Sequence, residues 1–310
     1  MKNNNYGLSD LLNQITEIQK KLDIDSPLSV YFGYSQEGRI RLSFLSTKMP
    51  FKLESTRNIV VSQHRESTGG YWTHFDLVEK EQKKVFLSFS QSILDSVLYC
   101  TTEEQAFASL KKRYVTWKAL FKNEPNSHLS QDVIQGVFGE LYFLNEFMIP
   151  QYGVDRSIQS WAGADGKSKD FSIDDQWFEI KTIGANSNQI HISSLTQLDA
   201  LTSGSLVVIK VEGMSEESSG DSVSILELFD AIRAAITDEA IENIFFSKLA
   251  ITGVSTSEDA MRMKFVVKDI HKYLVDEKFP KLTDKTKPFT EICEAEYSLS
   301  LNSLAKYMEN

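Results

Sequence analysis

The chain has 310 residues, enough for one large domain or two ordinary ones, and its 41% hydrophobic and 11% aromatic content is enough for packed cores. It has no run of 18 apolar residues and no apolar leader in MKNNNYGLSDLLNQ, so no membrane partner is expected and the cytoplasm is the expected compartment. A net charge of −10 argues against a simple nucleic-acid-coating protein, and two cysteines, Cys100 and Cys293, make neither a disulfide framework nor a metal-ligand spacing.

In residues 8–22, Leu8, Leu11, Leu12, Ile15, Ile18 and Leu22 fall at helical spacing and predict a helix. Five strand-like runs follow: LSVYFGY, RIRLSFLS, RNIVVSQ, YWTHFDLVE and KVFLSFS. They are short, β-branched or aromatic, and separated by turn signals such as Ser35-Gln36-Glu37-Gly38 and Thr68-Gly69-Gly70. A helix followed by adjacent strands predicts an antiparallel sheet in an α+β domain. A long helix is expected from about Ser92 to Lys122, and Pro125-Asn126-Ser127 breaks it. The domain boundary is set there: an α+β domain over residues 1–125 and a second domain over residues 126–310.

Residues 130–148 read SQDVIQGVFGELYFLNEFM. Ser130 is the expected N-cap, and Val133, Val137, Leu141, Leu144 and Met148 form one face. Glu140 falls on that face, where a carboxylate is costly unless it has a partner or reaches the helix edge. Gly136 and Gly139 weaken the helix but would let it pack closely on a sheet.

Residues 169–181, KDFSIDDQWFEIK, predict a hairpin with Asp174-Asp175 as a two-residue turn. Residue 173 then faces 176, 171 faces 178, and Asp170 faces Glu179 with about 5 Å between their Cβ atoms. Period-two alternation puts Lys181 on the same face, and Phe171, Phe178 and Ile180 on the core face. Two opposed carboxylates repel each other. They form either a solvated face relieved by Lys181 or a site for a hard cation such as Mg²⁺, which takes one or two carboxylates and keeps several waters.

After a polar turn at 184–188 come a short strand, Gln189–Ser193, a short helix over Thr196–Leu201, and a buried-looking strand, SLVVIKVEG. Helices are expected at about Ile225–Ile236 and Glu239–Leu249, then a strand, MRMKFVVKDI, and an irregular tail.

Asp170 followed after eight residues by Glu179-Ile180-Lys181 resembles the signature of the PD-(D/E)XK nucleases, with Lys169 where the family name has proline. Glu140 on the preceding helix extends the likeness, as does the sequence GELYFL, W-x-G, KDF, FEIKT, HISS between Ser130 and Val211. That group of bacterial proteins accompanies restriction-type defence genes. The resemblance implies a restriction-endonuclease-like core, a mixed sheet flanked by helices. It implies a Mg²⁺-dependent DNA endonuclease, with Mn²⁺ able to substitute, acting on double-stranded DNA. Asp170, Glu179, the Ile180 carbonyl and Glu140 would hold metal, and Lys181 would act on the reacting phosphate. His191, Ser193 and Gln197 are candidate substrate contacts.

Residues 1–125 hold 17 Lys+Arg against 14 Asp+Glu, and residues 126–310 hold 16 against 29. DNA grip is therefore expected from the N-terminal half, from local patches or from partner proteins. Lys111, Lys112 and Arg113 are candidate phosphate contacts. Two further basic stretches are Arg39 to Arg57 and residues 262–287. The alternative is a non-catalytic nucleic-acid- or protein-binding subunit of a defence complex. The sequence leaves the oligomeric state open, a homodimer included.

Overall fold

A computed structural model describes residues 7–14, 18–67, 69–120, 129–162, 169–200, 202–214, 221–254 and 258–309. The chain divides into two compact units, Met1–Glu124 and Pro125–Asn310. The Pro125-Asn126-Ser127 break, part of the Thr68-Gly69-Gly70 turn and the loop at 163–166 lie outside the described residues.

The first unit opens with α1 (Leu8–Gln14), then β1 (Gln19–Leu22), β2 (Ser29–Tyr34), β3 (Ile40–Ser46), β4 (Ile59–Arg65) and β5 (Tyr71–Leu77). These strands form an antiparallel sheet in the order β1-β2-β3-β5-β4. Alternation buries Val30, Phe32, Leu42, Phe44 and Phe75 on one face. Helices α2 (Lys83–Val97) and α3 (Glu103–Leu120) cover it, with Phe75 against Phe89 and Tyr114 at centroid distances of 5.7 and 5.2 Å.

Three expectations fail in this unit. Residues 19–22 are a strand, not helix: Ile18 is 53% exposed, so the apolar stripe lapses, and edge pairing with β2 takes over. KVFLSFS is helix: Val85, Phe86, Phe89, Ile93 and Val97 sustain a helical period that outlasts the short β-like run. The expected single helix from Ser92 is two, because Tyr99 adopts a left-handed φ of 58° between them.

The second unit starts with α4 (Gln131–Phe143), capped by the Ser130 hydroxyl, which accepts from Val133 N–H at 3.3 Å. It runs on through a π-helical turn (Leu144–Met148) into α5 (Ile149–Tyr152) and then α6 (Val154–Ser160). Next come β6 (Phe171–Ile173), β7 (Gln176–Gly184), β8 (Gln189–Ile192) and β9 (Gly204–Met214). Then follow β10 (Val223–Ser224), α7 (Ile225–Ala235), α8 (Glu239–Thr252), α9 (Glu258–Arg262), β11 (Lys264–Val275), β12 (Tyr297–Ser300) and α10 (Leu301–Leu304).

The main sheet has the order β10-β11-β9-β7-β6. Only β7 and β9 are parallel, so the sheet is mixed and flanked by helices, a restriction-endonuclease-like core. β9 is central and buried from Ser205 to Ile209, which explains its unbroken apolar run.

Helix α4 lies on one face, stacking Phe143 on Phe178 at 5.3 Å and Phe138 on Phe265 at 4.5 Å. A Cβ at Gly139 would fall inside the Thr182 side chain, so glycine there permits the close approach to β7; Gly136 has open space. Val133, expected on the buried stripe, is 43% exposed, and Ile134 and Phe138 bury instead, which rotates the stripe. β8 leaves the main sheet to pair with β12, and this ribbon packs Ile190 and Ile192, with Leu301 of α10, against Trp177, Leu206 and Val208 on the sheet's other face. No helix of the described residues is long and apolar enough to cross a membrane.

Candidate functional site

The hairpin of β6 and β7 has the expected register: Ile173 opposite Gln176, Ser172 opposite Trp177, Phe171 opposite Phe178. Asp174 takes the left-handed φ of 51° that the tight turn needs, and Arg156 pins its carboxylate at 2.7 and 2.8 Å. The pairing stops one residue short of expectation. Asp170 is a bend before β6, not a strand residue opposite Glu179. Its carbonyl accepts from Ala162 N–H at 2.7 Å, and Phe171 bridges to Trp161, which draws the chain away from β7. The Asp170 carboxylate instead caps the open edge of β7, accepting from Ile180 N–H at 2.7 Å.

Alternation along β7 turns Phe178, Ile180 and Thr182 toward α4, and Trp177, Glu179 and Lys181 toward the ribbon side. Glu179 and Lys181 form an ion pair of 3.0 Å, with side-chain exposures of 3% and 18%, so the lysine is the member that solvent reaches. The Lys181 ammonium also donates to Gln197 Oε1 at 3.2 Å, and the same oxygen accepts from Ser193 N–H at 2.9 Å. Gln197 therefore positions Lys181. Glu140 approaches from α4, its Oε2 accepting from the buried Trp161 indole at 2.7 Å.

Burial is the main cause that raises all three acids, and the Asp170 charge adds to it at Glu140 and Glu179. Burial, then the Asp170 charge, pushes Glu140 up to about 8; Trp161 and Lys181 oppose the shift. Glu179 is pushed up to about 8 by burial and then by Asp170, against Lys181. Asp170 is raised by burial although the Ile180 N–H and Lys181 hold it down. The carboxyls thus lack enough positive charge around them. Their oxygen-only chemistry fits a hard divalent cation. Among the described residues no three His, Cys, Asp or Glu side chains stand together as a ready metal cage.

The other expected residues are placed as follows. His191 lies exposed on β8 with Glu296 at 3.4 Å. Ser193 is exposed and meets the site through its backbone. Residues 195–198 form turns rather than the start of the helix expected over Thr196–Leu201, because the Lys169 ammonium draws in the carbonyls of Thr196, Gln197 and Asp199 at 2.8, 2.6 and 2.9 Å. Lys111, Lys112 and Arg113 belong to α3 of the first unit.

Sequence reasoning missed three supports. Lys169 is 7% exposed, lies over the Trp177 ring at 4.5 Å, and is pulled down to about 8 by burial. By holding the 196–199 turn it fixes Gln197, and through Gln197 it fixes Lys181. Its place where the family name has proline was the available signal. Trp161 steadies Glu140, and the Lys248 ammonium caps the end of α6 through the carbonyls of Ile158, Gln159 and Trp161. A lysine that binds distant backbone carbonyls leaves no pattern in the sequence.

The sequence model of the family described as "Putative PD-(D/E)XK family member, (DUF4420)" matches residues 8–302. No curated protein and no solved structure matches the chain.

Proposed function

The chain belongs to this PD-(D/E)XK family, and on that premise we propose that it is a Mg²⁺-dependent endonuclease that hydrolyses phosphodiester bonds in double-stranded DNA. One observation carries the proposal: the buried Glu140, Asp170 and Glu179 all feel the charge of Lys181, the solvent-reached member of the Glu179–Lys181 pair, beside the open edge of β7.

Asp170, Glu179 and the Ile180 carbonyl would hold the ion, and Glu140 would hold its waters or a second ion. Bound there, the cation would polarise the phosphate and supply a hydroxide-like water. Lys181, oriented by Gln197, would bind the non-bridging phosphate oxygens and stabilise the charge they gain in the transition state. Trp161 would keep Glu140 aimed at the site. The likeness of Ser130–Val211 to defence-associated bacterial proteins supports a restriction or defence role with other proteins of that system.

A second reading, a binding subunit that cuts nothing, is favoured by the Asp170 oxygen spent on Ile180 N–H. Cleavage decides between them. Methylated and unmethylated plasmid should be nicked or linearised by the full chain with Mg²⁺ or Mn²⁺. Lys181→Ala should slow that by about 10²-fold or more without changing the thermal melt substantially. No cutting of any DNA form, or equal rates in both proteins, would overturn the nuclease reading.

A further inference from the structure

The connection between β3 and β4 is irregular, yet it is fastened down. Gln63 on β4 accepts from Leu53 N–H at 3.1 Å and donates to the Phe51 carbonyl at 2.9 Å. Leu53 is buried beneath it, and the Ser55 hydroxyl accepts from Val61 N–H at 2.9 Å. This pinned segment and the ends of β4 and β5 enclose a cavity of about 500 Å³, within the range of small-molecule and cofactor sites.

Among the described residues no Asp or Glu lines the cavity. Its lining includes the cations Lys52 and Arg65 with Tyr71, while His64 and Trp72 border it from the opposite face of the β4–β5 pair. Arg65 lies over the Tyr71 ring at 6.0 Å, and Trp72 and His64 flank His74 at centroid distances of 5.3 and 5.2 Å. Just outside, Phe51 is 52% exposed with the Lys111 ammonium 4.9 Å over its ring. The nearby acids are committed elsewhere: Glu54 to Lys118 at 2.7 Å, Glu66 to the Trp72 indole at 2.8 Å.

Flat rings beside several spaced cations suit a planar base joined to more than one phosphate. We propose that this cavity takes one unstacked nucleobase of a nucleic-acid strand, with Lys52, Arg65 and Lys111 on the phosphates around it. The inference rests on the nuclease reading for its role: the cavity would hold part of the strand that the second unit cuts.

The test is binding by the full chain in EDTA, so cutting does not enter. The probes are a fluorescein-labelled oligothymidylate of about 12 nucleotides, the matching paired duplex, the same duplex with one unpaired base, and dTMP as competitor. The single strand and the bulged duplex should bind more tightly than the paired duplex. Tyr71→Leu and Arg65→Gln should each weaken single-strand binding by about tenfold. If either variant melts early, the double variant Lys52→Gln, Lys111→Gln, both exposed side chains, should lose affinity and flatten the salt dependence. Wild-type affinity in the variants, equal binding of the paired duplex, or dTMP competing as well as the oligonucleotide would overturn the proposal. Failure of the nuclease reading would look different: binding intact, with no metal-dependent cutting.

Discussion

Glu140 and Glu179 hold their protons in the folded chain up to about pH 8, whereas an unfolded glutamate releases its proton near the ordinary value of 4.5. Between those limits the folded state binds more protons than the unfolded one, so their contribution makes stability fall as pH rises. Lys169 acts in the next window. Its folded value is about 8 against an ordinary 10.5, so the folded state binds fewer protons there and this contribution rises with pH. In EDTA the thermal midpoint should therefore decline from about pH 5 to about pH 8, and Glu179→Gln should flatten that decline. A wild-type midpoint that stays level or climbs across this range would show the acids are not strained. That Glu179 and Lys181 share one face was legible because strand alternation is arithmetic. The bend at Asp170 was not, because it depends on Ala162 and Trp161 pulling on the chain from outside the hairpin.

Helix α4 brings Glu140 to the sheet, and its two glycines differ in what surrounds them. A Cβ at Gly139 would collide with Thr182, whereas one at Gly136 meets nothing. Gly139→Ala should cost about 1–3 kcal/mol by forcing the helix off β7. Gly136→Ala should be neutral or stabilise by up to about 1 kcal/mol through helix propensity. Urea unfolding of the two variants measures both, and equal effects would contradict the close helix–strand contact. Sustained patterns made several elements readable: the capped start of α4, the apolar run of β9, the amphipathic α7. Short runs misled. KVFLSFS has a β-rich composition, but its neighbours continue a helical stripe across Phe86, Phe89 and Ile93. Residues 196–199 have helix-compatible spacing, but a distant buried lysine takes their carbonyls.

Across the whole chain, residues 1–125 carry a balance of +3 and residues 126–310 a balance of −13. On the proposed nuclease reading, long-range attraction to DNA is expected from the first unit, from local patches or from partner proteins. Reversing Lys111, Lys112 and Arg113 together to Glu should weaken duplex binding for every sequence tested and flatten its salt dependence. Unchanged titrations would reassign the first unit to protein docking. The mixed sheet was an expectation from the resemblance to the PD-(D/E)XK nucleases. The pairing of β8 with β12 could not be anticipated, because it joins segments far apart in the chain that share no local signature. The central claim is that the acids around Lys181 hold a divalent cation where a phosphate reacts. Anomalous diffraction from a crystal of the full chain soaked in Mn²⁺ tests it most directly. The expected result is a peak bonded to the carboxylates of Asp170 and Glu179, with the Lys181 ammonium beside it. A peak elsewhere, or none at saturating Mn²⁺ with Asp170 still on Ile180 N–H and Glu179 still on Lys181, would contradict the account.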